Sequence, residues 1–182
     1  MSFSSVAGVL LAAGAGTRYG MPKVLAHDGQ WLARGVAALA DGGCADVVVV
    51  LGAAVVEVPA PARPVIAENW AVGMSASVAA GLAAIDAECA VLHVIDTPDV
   101  GPDVVRRVLA AATATGLARA VFDGSPGHPV AIARRYWPSL LDTLHGDEGA
   151  RRFLRARDDV VIVECGDLAD GRDIDEPCAG PL

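Results

Sequence analysis

An apolar run, Val6–Ala12, passes directly into Ala13-Gly14-Ala15-Gly16-Thr17-Arg18-Tyr19-Gly20-Met21-Pro22-Lys23. A strand that is apolar on both faces belongs inside a parallel sheet covered by helices. In such sheets the loops beyond the carboxyl ends of the strands carry the ligand. Glycines at 14, 16 and 20 let backbone N–H groups curl about an anion. Arg18 and Lys23 add positive charge at two points along the same loop. Lys23 is the only lysine, beside thirteen arginines, and a compact ammonium suits point-charge contact with a phosphate. The bland alternative is a glycine-rich turn with two solvated cations.

The rest of the chain repeats the alternation of short β-branched runs with longer segments of helical period. Strands are expected at Val6–Ala12, Asp46–Leu51, Pro64–Ala67, Ala90–Ile95, Arg119–Phe122, Val130–Ala133 and Val160–Cys165. Helices are expected at Gln30–Ala40, Ser75–Ile85, Pro102–Thr115, Arg134–Leu144 and Glu148–Arg155, with Asp123–Pro129 as a turn between two strands. This order predicts an α/β fold with a mainly parallel sheet. At 182 residues and 53% hydrophobic content, the expectation is one domain over residues 1–182.

Two commoner phosphate loops are excluded by spacing. A Walker A loop needs Gly-Lys-[Ser/Thr] in succession, whereas Met21 and Pro22 separate Gly20 from Lys23. A dinucleotide fingerprint needs GxGxxG, whereas Gly14, Gly16 and Gly20 give GxGxxxG, with no ribose-binding acid after Leu51-Gly52. A net charge of −8 and few aromatic residues argue against nucleic acid as a partner. Cys44, Cys89, Cys165 and Cys178 are scattered without a CxxC pair, which fits a reducing cytoplasm and no zinc site. No charge precedes the first apolar run as in a signal peptide, and no other stretch has a membrane-spanning length, so no membrane partner is expected.

LAAGAGTRYGMPKVL resembles the signature LAAGxGxRxGxPKxL of nucleotidyltransferases. Later segments are similar to the small MobA-like branch, which includes the molybdenum cofactor cytidylyl- and guanylyltransferases. They are Asn69-Trp70-Ala71-Val72-Gly73-Met74-Ser75-Ala76-Ser77, Asp96-Thr97-Pro98, Gly127-His128-Pro129-Val130, Gly146-Asp147-Glu148-Gly149-Ala150-Arg151 and Asp173-Ile174-Asp175. The resemblance covers nearly the whole chain in order. It implies a three-layer α/β/α, Rossmann-like nucleotidyltransferase fold with a mostly parallel, mixed central sheet.

The same resemblance implies site roles. Leu11, Ala12, Ala13, Gly14 and Gly16 would hold the nucleoside triphosphate, with Arg18 on the β/γ-phosphates and Lys23 on the α-phosphate. Asn69, Gly73, Met74, Ser75 and Ser77 would serve base and ribose; ordinary N-capping by a serine is the competing reading. Asp96 and Asp175 would hold Mg²⁺, a hard cation that takes one or two carboxylates plus substrate phosphates. A capping or turn role for Asp96 and a solvated tail for Asp175 are the alternatives. His128 and Arg151 would face the acceptor, against solvent-exposed roles for both. His93 reads as a core histidine, and His27 and His145 as turn residues. Thr97 stands where the family often has Gln or Met, which bears on acceptor contacts.

The reaction implied is transfer of a nucleoside monophosphate, with CTP favoured, to a phosphorylated small molecule such as molybdopterin, releasing pyrophosphate. Docking to a molybdoenzyme or its chaperone would follow. The preference for CTP rests on Ala13. Cytidylyl enzymes tend to read LAAG and guanylyl enzymes LAGG, and a methyl group there narrows the space beside the base. The rivals are transfer to a sugar phosphate or another small phosphate, and a nucleotide-binding partner of a cofactor enzyme that has lost catalysis.

Overall fold

A computed structural model of the protein describes residues 2–176, so Cys178 lies outside the described residues. One seven-stranded sheet gathers β1 (Val6–Leu11), β2 (Asp46–Leu51), β3 (Arg63–Ile66), β4 (Cys89–Val94), β5 (Leu117–Phe122), β6 (Ser125–Ala133) and β7 (Val161–Glu164) in the order β3-β2-β1-β4-β6-β5-β7. Every pairing is parallel except those of β6, which runs antiparallel to β4 and β5. This is the mixed, mostly parallel sheet expected.

Helices α1 (Gln30–Asp41) and α3 (Pro102–Ala112) cover one face, and α2 (Met74–Ala83), α4 (Trp137–Thr143) and α5 (Arg151–Arg155) the other. The period of two in β1 divides its side chains between the layers: Leu10 packs with Val36 and Leu39 of α1, while Val9 and Leu11 pack with Val78 and Leu82 of α2. In α3, Pro102 occupies the first turn, where its missing N–H costs nothing. Val104, Val105, Val108 and Ala112 then fall on one buried stripe. Each fully buried Val or Leu contributes about 1.5–3 kcal/mol relative to exposure.

The departures from expectation are local. The segment 123–129 is not a loop: the turn is only Asp123-Gly124, both with positive φ, and β6 begins at Ser125. That is the Asp-Gly hairpin turn whose twist matches the strands it joins. A shift in the β5–β6 register follows Arg119, so Gly127-His128-Pro129 bulges before regular pairing resumes at Val130. A 3-10 turn that the sequence pattern did not show opens at Lys23, and the Lys23–Gly29 segment kinks at Ala26-His27-Asp28, where the backbone is not helical. The expected helix Arg134–Leu144 divides into a 3-10 turn, Arg134–Tyr136, and α4, whose second residue is Pro138. The expected helix from Glu148 starts at Arg151 instead, and α3 stops at Ala112 rather than Thr115.

Because β1 pairs with β2 on one side and β4 on the other, the chain changes direction across the sheet at β1. The crevice at such a switch point is where open α/β sheets bind ligands. The antiparallel course of β6 carries its first residues, rather than its last, to this edge: Leu92 of β4 pairs with Val130, so Gly127 and His128 lie beyond the last paired residue of β4.

Candidate active site

Gly16 has φ +61°, and a Cβ there would lie 1.9 Å from the Met21 carbonyl oxygen, so any side chain breaks the loop. Its carbonyl accepts the Gly20 N–H at 2.8 Å, closing the glycine segment on itself. Pro22 then starts the 3-10 turn, which is pinned by buried Val24 and Ala26, and Tyr19 lies against Trp31 of α1. Lys23 emerges from this anchored turn with its side chain only 13% exposed. Its Nζ donates to Asp96 Oδ2 at 3.0 Å and to Asp175 Oδ1 at 3.1 Å. The other oxygen of Asp175 pairs with Arg18 at 3.0 Å, where the Arg18 side chain is 75% exposed.

Asp96 follows β4, and the Ile95 N–H donates to Leu11 O at 3.2 Å, prolonging the β1–β4 pairing to the site. Asp175 comes from the segment after β7, which turns back over the sheet edge. Two contacts with the Asp96–Asp99 turn hold this strap. Asp99 Oδ2 accepts the N–H groups of Asp170 and Gly171 at 2.8 and 3.0 Å, and Asp96 O accepts the Ile174 N–H at 2.9 Å. Loop, β4 and strap thus deliver two cations and two carboxylates to one place.

The donor set fits a hard divalent cation. Oδ1 of Asp96 is buried with no hydrogen-bond partner among the described residues, and Asp175 approaches the same ammonium from the opposite segment. Among the described residues no group of three or more His, Cys, Asp or Glu side chains is placed to hold a metal. Two carboxylates leave the remaining positions to phosphate oxygens and water, as Mg²⁺ prefers.

Two adjoining clefts open here. The first, about 550 Å³, is lined by Leu11, Ala12, Ala13, Gly14, Gly16, Arg18, Lys23, Gly73, Met74, Ser77, Asp96 and Asp175 among the residues expected, and also by Tyr19, Trp70 and Asp147. Asn69 is exposed outside the cleft lining, before a 3-10 turn at Trp70–Val72. Ser75 is buried, and its N–H donates to Gly146 O at 3.0 Å. No serine caps α2; Gly73, at φ +126°, occupies the cap, and a Cβ there would lie 2.5 Å from Asp147 Oδ1. The second cleft, about 830 Å³, contains His128, Arg151 and Asp173, together with Arg119 and Arg155. Leu11, Met74 and Asp147 line both clefts and form their shared wall.

Sequence reading did not single out Arg119, Arg155, Asp99 or Trp70. The spacing of Arg151 and Arg155, four apart and hence on one helix face, was the available signal for one of them. His128 is half-buried in the β6 bulge, where desolvation and the Arg119 charge push its pKa down to about 4, with Asp96 pulling the other way. It is a neutral imidazole near pH 7. His93 is a core histidine as expected, 1% exposed, and burial drives its pKa down to about 3. His27 stacks on Trp31 in the 3-10 turn, and His145 bridges to Glu148; both are turn residues.

The model of the MobA-like NTP transferase domain matches residues 8–160. The chain belongs to the MobA-like NTP transferase family. Nicotine blue oxidoreductase of Paenarthrobacter nicotinovorans is 37% identical over 187 positions, covering 93% of this chain and 92% of that protein. Among solved structures, the Rv0371c homologue from Mycobacterium sp. strain JC1 superposes with a TM-score of 0.78 at 28% identity, over 94% of this chain and 90% of that one. Rv0371c of Mycobacterium tuberculosis H37Rv gives 0.75 at 26% identity, over 96% and 89%. A complex of Rv0371c with manganese gives 0.70 at 24% identity, over 96% and 90%. Among its described residues no helix is long and apolar enough to cross a membrane.

Proposed function

We propose that the protein transfers a nucleoside monophosphate, CMP in preference to GMP, from its triphosphate to a phosphate monoester acceptor, with pyrophosphate leaving. The observation that carries this reading is the convergence of Lys23, Asp96, Asp175 and Arg18 at the mouth of the glycine loop. An in-line attack by an acceptor phosphate needs no protein nucleophile, since the attacking oxygen is already anionic. The protein's work is therefore positioning and charge neutralisation.

The loop amides at Gly14 and Gly16 receive the phosphate chain. Lys23 turns from the two carboxylates to the α-phosphate oxygens, where negative charge grows as the new bond forms. Arg18, exposed and among the described residues held only by Asp175, is free to follow the departing β/γ-phosphates. Asp96 and Asp175, relieved of Lys23, would hold the divalent cation, which supplies charge neutralisation and orientation of the phosphates when bound. The manganese complex of Rv0371c supports divalent metal use, and Mg²⁺ is the ion proposed. Acceptor phosphate would enter from the second cleft past neutral His128, whose imidazole can donate a hydrogen bond to it. Molybdopterin is the acceptor that the sequence resemblance favours, with delivery to a molybdoenzyme or its chaperone in the cytoplasm.

The test is incubation with equal CTP and GTP, Mg²⁺ and molybdopterin, with the product read by mass. Cytidylyl product should exceed guanylyl product by roughly 10–200-fold, the range one methyl group can supply. The Ala13→Gly variant should shift the ratio toward GTP. Guanylyl product in excess from the wild-type protein would overturn the base assignment. The relative named as an oxidoreductase supplies a second reading, reduction of a dye such as nicotine blue by a nicotinamide nucleotide. Dye bleaching with NADH or NADPH, in a preparation that makes no nucleotidyl product, would favour that reading instead.

A further inference from the structure

The second cleft gathers four arginines, Arg119, Arg151, Arg155 and Arg172, among four aspartates. Arg119 projects from β5 half-buried, and its Nε donates to Gly127 O at 3.1 Å, fixing the guanidinium and leaving its terminal nitrogens to the cleft. Arg151 and Arg155 stand four residues apart on α5, which Phe153 and Leu154 anchor in the core. Asp123, Asp147, Asp170 and Asp173 also line the cleft. Yet among the described residues none of them forms an ion pair with Arg119, Arg151 or Arg155, whereas Arg63, Arg106, Arg107, Arg134 and Arg157 each hold an aspartate. Burial and the charges of Arg151 and Arg155 both act against protonation of Arg119, so the three repel one another until an anion joins them.

A phosphate monoester is a single oxyanion group of about −1.5 to −2 charges near pH 7, whereas three guanidiniums here stand without an ion-paired carboxylate among the described residues. The attacking phosphate must also sit beside the α-phosphate in the first cleft, which none of the three arginines lines. We propose that Arg119, Arg151 and Arg155 form an anion subsite for a second acidic group of the acceptor, a carboxylate or phosphate apart from the one that attacks. The acceptor class is thereby narrowed to phosphate esters bearing another oxyanion, which planar guanidiniums can grip by paired hydrogen bonds; molybdopterin, with one phosphate and no carboxylate, does not meet this criterion, so the subsite favours another small phosphorylated acceptor over it. This rests on the nucleotidyl-transfer reading for the word acceptor, but the subsite itself is tested by binding alone.

The protein is saturated with Mg²⁺ and α,β-methylene CTP, so that the first cleft is filled, and titrated calorimetrically with two matched pairs. One pair is glycerol 3-phosphate and 3-phosphoglycerate; the other is glucose 6-phosphate and 6-phosphogluconate. In at least one pair the ligand with the extra carboxylate should bind about tenfold more tightly. That advantage should fall below about threefold in Arg155→Gln, an exposed helix position, and in Arg119→Gln, with affinity for the CTP analogue unchanged. Equal binding within both pairs, or an advantage that survives in both variants, would overturn the subsite. Absence of nucleotidyl product in the separate transfer assay would count against the proposed reaction and leave this result standing.

Discussion

Lys23 is shared by the two carboxylates proposed to hold a metal, and this sharing shapes what its replacement does. Lys23→Ala removes the ammonium from a place where charge develops in the transition state, so turnover should fall by at least about 10²-fold. Lys23→Arg should also be poor, because a planar fork does not reproduce a compact point charge. Folding should be nearly intact in both, since Arg18 still pairs with Asp175. Turnover within about threefold of wild type for both, by pyrophosphate release, would rule out the phosphate role. Asp96→Asn should instead shift the Mg²⁺ or Mn²⁺ activation curve to higher metal concentration as turnover falls, because one charge leaves the proposed ligand set. An unchanged metal titration would remove Asp96 from that set. Both residues are legible because Lys23 lies within a contiguous motif and Asp96 follows a short, mostly apolar run. Arg119 and Asp99 are not: Arg119 gains its meaning from the bulge at Gly127 and from α5, and Asp99 from backbone groups 71 and 72 residues away.

Among the elements, the strap after β7 is the one whose position the site depends on, with Ala169 and Ile174 packed against the core. It carries Asp175 to Lys23, and Asp99 holds its start through two backbone N–H groups. Asp99→Ala leaves both donors to water and loosens the strap, so turnover should drop about tenfold with a raised metal requirement. Asp99→Asn keeps an acceptor oxygen and should restore most of the activity. Equal activity in wild type and Asp99→Ala, or equal loss in both variants, would separate Asp99 from the site. Elements of this kind escape sequence reading because they have no period. The buried strands were legible from their unbroken apolar runs, and α1 and α3 from their stripes. The start of β6 was misread as a turn because Pro126 and Pro129 flank Gly127, residues that ordinarily mark loops. In the structure these residues lie beyond the last β4 pair, Leu92 with Val130, where no missing N–H is asked of them by β4. Glu164 of β7 then holds the hairpin tip, accepting the N–H groups of Asp123 and Gly124 at 2.9 and 3.2 Å.

For the molecule as a whole, the switch-point sheet buries a histidine directly behind the site. His93 lies in the central strand β4, 1% exposed, with Nδ1 unpartnered, and burial, with the nearby His128, pushes its pKa down to about 3. An unfolded histidine titrates near 6.5. The unfolded chain therefore binds a proton between about pH 6.5 and 3 that the native fold does not, and stability must fall as pH drops through this interval. Above pH 6.5 both states are neutral there and nothing is lost. At pH 5 the difference from this one residue amounts to about 2 kcal/mol. His128, pushed down to about 4, acts in the same direction. The carboxylates of Asp159, Glu164 and Asp167, held low by the arginine and backbone donors around them, add their losses further into acid, below the range of unfolded carboxylates. The interval between pH 7 and 5 thus belongs to the buried histidines, and His93→Leu separates their share. Whatever that variant costs at pH 8, its urea-unfolding free energy should fall less steeply from pH 7 to 5 than that of the wild type, by about 2 kcal/mol over the interval. Parallel curves for the two proteins would mean that His93 is protonated alike in the folded and unfolded states, and that the core behind the site is open enough to admit its charge.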